Sequence, residues 1–441
     1  MMKPFRSGLL ALALSLAAVP LLRGAVSAQA VLSAKQQEEA DIRAELQRII
    51  KEDPAHATEA KKALAALDKP EASTEGRQAR NRRERGARRI VNGLPSRSHP
   101  AVGAVVKGNV PQTAGAWCTG TLVGCDKFLT AAHCIADDPS PAGYLVFFQE
   151  LGFFKVTDIK WVKEKYNPPY SDLAMLTLDK PVEGIAPMAI NTSVKPLNNS
   201  IATIVGFGRT GGSRADYGIK REGSVRSTAC TGRFAAAPVL CWNFDADVKS
   251  DASAQNTCNA DSGGGVFMRD NDGPRIAEKV FGVVSGGTDP DCMKNDLSYN
   301  VDVAQYRDWI QAAGEGRLSS AMCGRSLWED RAREPVRTTL ALDANKPEGN
   351  FIIEAPAGMT ALRVAMNAED NGAGKNQFQF AAFSSKTPAS PENACKGNGS
   401  GQFAFCAIEK PDSGSWTITV SRKKGQGQVQ ITTLFLGPDG Q

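Results

Sequence analysis

From residue 90 to about residue 322, apolar positions come in short runs, many alternating with polar ones, and the runs are separated by Gly, Pro and Asn. A two-residue period over four to eight positions predicts half-buried strands, because successive side chains in a strand point to opposite faces. Val303 to Ala313 breaks the pattern with helical spacing and predicts one helix. After Cys323 and a polar link, residues 324–336, seven further strand-like runs follow. They are Thr338–Leu342, Asn350–Glu354, Leu362–Met366, Gln377–Phe383, Gln402–Ile408, Ser415–Ser421 and Gln428–Leu436. Seven strands in about 105 residues predict a small β-sandwich over 337–441.

The first 89 residues read differently. Lys3 and Arg6 precede an apolar run, Leu9 to Leu22, that ends in Ala28-Gln29-Ala30, the pattern of a secretory signal peptide over residues 1–30. The run is shorter than the roughly 20 residues a membrane anchor needs, and no other stretch approaches that length, so no membrane span is expected once the signal is removed. Residues 31–68 are rich in Ala, Glu, Lys and Gln. Ile42, Leu46, Ile49 and Ile50 there predict two short amphipathic helices broken at Pro54. From Lys69 to Arg89 apolar residues nearly vanish and arginines crowd in, which predicts an exposed segment.

At 441 residues the chain is too long for one ordinary core. Its net charge of +5 is unevenly spread: residues 1–89 hold 17 Lys and Arg against 11 Asp and Glu, which leaves 35 against 36 beyond. The remainder is nearly neutral, so no nucleic-acid partner is expected. Ten cysteines in an exported chain predict disulfides formed in an oxidising compartment, extracellular or periplasmic. No Cys-x-x-Cys pair occurs and the chain has three histidines, so no metal site and no cofactor are expected.

Candidate chemistry lies in three segments. Asn259-Ala260-Asp261-Ser262-Gly263-Gly264-Gly265 sets a serine among glycines, where a hydroxyl can be exposed while nearby amides converge on one point. Upstream, Leu129-Thr130-Ala131-Ala132-His133-Cys134 supplies a base, and Ser171-Asp172-Leu173-Ala174-Met175 supplies a carboxylate. The chain order is His, Asp, Ser.

With these segments the sequence resembles the trypsin/chymotrypsin family of serine endopeptidases over Ile90 to Met322. Further matches are Ile90-Val91-Asn92-Gly93 after Arg88-Arg89, Trp117 to Leu122, Gly206-Phe207-Gly208, Ser285-Gly286-Gly287 and Tyr306 to Ile310. The resemblance implies a protease domain over 90–323, built as two six-stranded antiparallel barrels with the site between them and a short C-terminal helix. It implies Ser262 as nucleophile, His133 as general base, Asp172 as its orienting partner, and the amides of Ala260 and Ser262 as the oxyanion hole. Residues 31–89 become a propeptide, and cleavage after Arg89 by an activating protease would free the Ile90 amine to pair with Asp261.

Asn256, Ser285, Gly287 and Ser298 would line the specificity pocket. Asn256 stands where trypsin-like enzymes carry an aspartate, so a preference for Arg or Lys is not expected, and self-activation at Arg89 is not expected either. The family pattern pairs Cys118 with Cys134, Cys230 with Cys241 and Cys258 with Cys292, and would leave Cys395 and Cys406 for a local bridge in the tail. Cys125 and Cys323 are either a further pair or two free thiols.

The strands from Gly414 onwards resemble those of the bacterial pre-peptidase C-terminal domain. Such a domain could bind substrate or a cell surface, or serve folding and secretion. Position 260 departs from the family, which carries glycine there. Three readings stay open: a secreted endopeptidase acting on protein or peptide substrates, an esterase sharing its acyl-transfer chemistry, or a weakened homologue acting in binding or adhesion.

Overall fold

Runs rich in Val, Ile, Phe and Thr, which pack well on a pleated surface, form the framework of the molecule. The computed structural model describes Gln47 and residues 90–437, except 97, 112–114, 163–169, 194, 213, 215, 245–253, 271–276, 325, 327–334, 371–375, 387–394 and 398–400. The expected signal peptide, the propeptide helices other than Gln47, which is helical, and Arg89 lie outside the described residues.

After a two-residue strand β1 (Leu94–Pro95), six strands follow: β2 (Val102–Lys107), β3 (Gly115–Gly124), β4 (Lys127–Thr130), β5 (Tyr144–Phe148), β6 (Gly152–Trp161) and β7 (Ala174–Leu178). They close an antiparallel barrel in the order β2-β3-β4-β7-β6-β5. A barrel this small is filled by its own side chains. Phe148 meets Phe128 and Phe154 edge to face at 5.7 and 5.5 Å. At Gly120 of β3 a Cβ would stand 2.2 Å from the Phe128 ring, so glycine is what lets that ring in.

The chain continues through β8 (Ile201–Gly206), β9 (Arg221–Arg226), β10 (Val239–Phe244), β11 (Gly265–Asp270), β12 (Ala277–Gly286) and β13 (Asp296–Asp302). The resemblance predicts a second six-stranded barrel. The ladders show a seven-stranded antiparallel sheet, β1-β9-β8-β11-β12-β13-β10, whose extra member β1 comes from the residues just after Ile90. The predicted helix begins as a 3-10 turn, Val303–Tyr306, capped by the Asp302 carboxylate on the Ala304 amide at 3.2 Å. It then becomes α1 (Arg307–Gly314).

The tail contains β14 (Val336–Leu342), β15 (Glu348–Ala355), β16 (Ala361–Ala368), β17 (Gln377–Ser384), β18 (Cys395–Lys396), β19 (Phe403–Glu409), β20 (Gly414–Lys424) and β21 (Gly427–Leu436). Two four-stranded sheets result, β14-β21-β16-β19 and β15-β20-β17-β18. They share one apolar cluster that takes in Leu362, Met366 and Ile431 from the first and Phe378, Trp416 and Ile418 from the second. Seven of the eight strands coincide with the runs read from sequence. The eighth, β18, is only two residues long, and its Cys395 is bonded to Cys406 on β19 of the other sheet. The Cys395–Cys406 bridge, close in sequence, thus joins two sheets.

Residues 87–441 form one unit, and the first tail sheet packs on the barrel. Phe403, fully buried, packs with its ring tilted against Phe147 of β5, the centroids 4.8 Å apart. Around it the contacts are polar and mostly buried. Arg337 pairs with Glu150 at 2.7 Å, the Asn367 amide donates to the Gly218 carbonyl at 3.0 Å, and the Gln402 amide donates to the Tyr217 carbonyl at 2.6 Å. Such groups lose their partners if the faces separate, and stranded buried polar groups cost about 1–3 kcal/mol each. Phe403→Ala is expected to cost about 3–5 kcal/mol, as for other buried phenylalanines, and to lower the melting of barrel and tail together. Calorimetry of the variant would contradict this coupling if the tail melted early while the barrel kept its original transition.

Candidate active site

His133 sits on a 3-10 turn, Ala132–Cys134, just after β4, and the Cys118–Cys134 disulfide ties that turn to β3. Asp172 precedes β7 and is fully buried. Its Oδ1 accepts the His133 main-chain amide at 2.9 Å, and its Oδ2 lies 2.8 Å from His133 Nδ1. An ionised carboxylate only accepts hydrogen bonds, so the proton belongs on Nδ1 and Nε2 keeps its lone pair. The Ser285 hydroxyl donates to the same Oδ2 at 2.5 Å. Burial alone would raise the Asp172 pKa, but the hydrogen bonds from His133 and Ser285 outweigh it and hold the carboxyl below its ordinary value.

Ser285 was read as a pocket residue; the structure gives it this contact as well. The β12–β13 ladder shifts register between Val284 and Gly286, which leaves Ser285 out of the pairing. Such bulges re-aim a side chain.

Ser262 reaches the same neighbourhood from the second sheet. Its carbonyl accepts the Thr119 amide of β3 at 2.8 Å and lies 3.8 Å from Cys134 Sγ, next to His133. Among the described residues, no hydrogen bond joins the Ser262 hydroxyl to the imidazole. Gly263 follows with φ +84°, and a Cβ there would come within 2.1 Å of Thr130 Oγ1, so only glycine fits. Ala260 has φ +69°, a left-handed conformation that a Cβ penalises. The Asn259 carbonyl accepts the Arg209 amide at 3.0 Å and the Ala260 carbonyl accepts the Thr119 hydroxyl at 2.7 Å. The amides of Ala260 and Ser262 make no hydrogen bond among the described residues.

Beside Ser262 lies a pocket of about 210 Å³, lined among others by Ser285, Gly287, Asp296 and Tyr299. Two of the four expected pocket residues stand behind its wall. Asn256 is fully buried: its Oδ1 accepts from Trp242 Nε1 at 2.9 Å and from the Ser298 hydroxyl at 2.7 Å. Its Nδ2 donates to Asp296 Oδ2 at 2.8 Å. Asp296 is the residue the sequence reading missed. Its other oxygen accepts the amides of Thr288 and Asp289 at 2.7 and 2.9 Å. A Cβ on Gly287 would come within 2.5 Å of it. The premise that the pocket lacks a carboxylate is therefore corrected.

The ten cysteines form five bonds: Cys118–Cys134, Cys125–Cys323, Cys230–Cys241, Cys258–Cys292 and Cys395–Cys406. No thiol is free, which closes the alternative left open for Cys125 and Cys323.

Asp261 and Ile90 are both buried, Ile90 in the apolar cluster of the second sheet. Asp261 accepts the amides of Cys258 and Gly208 at 2.9 and 2.8 Å and has no ion pair among the described residues. Burial pushes its pKa up to about 7, against the pull of the two amides and the Arg221 charge.

The trypsin family model matches residues 90–310. A trypsin of Saccharopolyspora erythraea is 31% identical over 204 residues, covering 43% of this chain and 82% of that protein. The snake venom serine protease BthaTL of Bothrops alternatus is 28% identical over 220 residues, covering 46% and 88%. Snake venom serine proteinase 14 of Crotalus adamanteus is 27% identical over 212 residues, covering 44% and 76%.

The Asp261 shift gives a pH signature for the uncut chain, in which Ile90 is still joined to Arg89. The folded state keeps a proton on Asp261 up to about pH 7, whereas the unfolded chain releases it near 3.8. Between those values the folded state binds the extra proton, so this contribution to stability is lost as pH rises through the window and is flat above it. The melting temperature of the uncut chain is expected to fall across that window more steeply than that of Asp261→Asn. Parallel curves would contradict the assignment.

Proposed function

Since the chain belongs to the trypsin family of serine endopeptidases, we propose that it is a secreted enzyme made as a zymogen, with His133, Asp172 and Ser262 as its catalytic residues. The observation that carries this reading is the double contact of Asp172 with His133, on both the main-chain amide and Nδ1. Ser262 attacks the peptide carbonyl, His133 Nε2 takes its proton and returns it to the leaving amine, and Asp172 stabilises the imidazolium between those steps. The amides of Ala260 and Ser262 receive the oxyanion. The site lies at the seam of the closed barrel and the seven-stranded sheet, which we read as the second barrel. The venom origin in two relatives' names, together with the signal-peptide pattern and five disulfides, supports secretion.

Cleavage after Arg89 frees the Ile90 amine, and its pairing with Asp261 replaces an unfavourable buried carboxylate by an ion pair. As far as this pair is concerned, activity should hold below the free amine's pKa of about 7.7–8.0 and fall as pH rises through the higher pKa of the paired amine. Asp296 changes the expected specificity. A buried carboxylate without a cation partner favours Lys or Arg before the scissile bond. Arg89 and the arginines before it thereby become substrates for a second copy as well as for a separate activating protease. The tail is read as a β-sandwich similar to the bacterial pre-peptidase C-terminal domain, fixed to the barrel, with an outer face that includes the exposed Ile352 as a surface for substrate or cell-surface contact.

The weakened-homologue alternative rests on Ala260 and its positive φ. A fluorophosphonate probe decides between the two: processed protein that stays unlabelled on Ser262 favours the alternative. Ser262→Ala is expected to lower peptide turnover by several orders of magnitude, since triad residues act as a unit; turnover near that of the parent would refute the mechanism. Asp296→Asn is expected to cut kcat/KM on a lysyl or arginyl substrate at least about tenfold, roughly 1.4 kcal/mol, and to spare an uncharged one. A peptide-library profile without basic residues would refute that role.

A further inference from the structure

Arg209 holds the oxyanion segment through an unusual concentration of contacts. Its main-chain amide donates to the Asn259 carbonyl at 3.0 Å, and its Nε donates to Asn259 Oδ1 at 3.1 Å. Nη1 donates to the Gly212 carbonyl and Nη2 to the Pro290 carbonyl, with the Asp291 carboxylate 3.5 Å away. One half-buried side chain thus joins the segment before Ser262 to the loop after β8 and to the pocket-wall loop that carries Cys292.

The carbonyl and the N–H of a trans peptide point in opposite directions. With the Asn259 carbonyl held at Arg209, the Ala260 N–H of the same peptide faces the other way, and it makes no hydrogen bond among the described residues. The next peptide is fixed separately by the Thr119 hydroxyl on the Ala260 carbonyl. The Asn259 carbonyl is thus held by the Arg209 main-chain amide, while the guanidinium holds the Asn259 side chain and the neighbouring loops beside that peptide. At φ +69° an alanine there is strained. Rotating that peptide would relieve the strain and turn the carbonyl, instead of the N–H, toward the oxyanion.

We propose that Arg209 is a positioning residue that locks the Asn259–Ala260 peptide in its productive orientation, and so permits alanine where glycine would adopt the conformation freely. The inference rests on the reading of Ala260 and Ser262 as the oxyanion amides.

The experiment compares processed enzyme, Arg209→Met, Ala260→Gly and the double variant on a fluorogenic peptide substrate, with active sites titrated by a fluorophosphonate. Arg209→Met keeps the main-chain amide and an aliphatic stem but removes the fork. It is expected to lower kcat at least about tenfold, a fraction of the roughly hundred- to thousandfold loss seen when an oxyanion donor is deleted, and to leave KM within about threefold. In the Ala260→Gly background the same change is expected to cost less than about threefold, because glycine needs no clamp.

An unchanged kcat in Arg209→Met, or an equal loss in both backgrounds, overturns the proposal. If Arg209→Met does not fold, Asn259→Ala removes the Nε contact while keeping the arginine. A several-fold kcat loss relieved by Ala260→Gly then supports the clamp, and no loss overturns it. Ser262→Ala, assayed alongside, separates the two levels: activity retained there sinks the catalytic reading itself, whereas an inactive Ser262→Ala beside a fully active Arg209→Met sinks only the clamp.

Discussion

A buried carboxylate, Asp172, is shared by the two halves of the protease region at the point where the chemistry is proposed. It takes hydrogen bonds from His133 on the barrel side and from Ser285 on the sheet side. A charge with no exposure to water is tolerated only when donors replace its hydration. Those donors come from segments more than a hundred residues apart, so the carboxylate is stable only when the barrel and the sheet are docked. The same contacts fix the imidazole's tautomer. Docking of the two halves and orientation of the imidazole are therefore coupled.

The pocket repeats this logic with neutral partners. Asn256 uses both ends of its amide to collect Trp242, Ser298 and Asp296, and Asp296 in turn holds the amides of Thr288 and Asp289. A polar network that is fully satisfied specifies one arrangement, because any slip strands several buried groups at once. The wall shaped by Gly287 and the charge beneath it are thus set jointly. The tail extends the protease in the same way: Phe403 supplies an apolar anchor on Phe147, and amides reaching Tyr217 and Gly218 add direction. These last contacts fall on the loop between β8 and β9, which also carries Gly208, whose amide bonds Asp261. The tail therefore grips a segment that leads directly to the proposed activation site.

The strands and the three chemical segments were legible in the sequence, because period-two alternation and short motifs are local properties of the chain. Ser262 could be picked out among its glycines for that reason, and Gly263 has a conformation and a contact that exclude any Cβ. The tail strands were legible too, except β18, which is too short to show alternation. Contacts between remote segments carry no such mark. Ser298 and Asp296 lie two residues apart on one strand and both bond the Asn256 amide, yet only Asp296 also lines the cavity. Arg209 looks like any surface arginine until three loops close around it. The sequence by itself determined which segments carry residue types suited to acid–base and nucleophilic work and where the chain turns. Only the tertiary structure decided which carboxylate lines the pocket, which groups bond the Asn259 and Ala260 carbonyls and what covers the barrel, since these depend on desolvation and hydrogen-bond partners that exist only after distant strands meet.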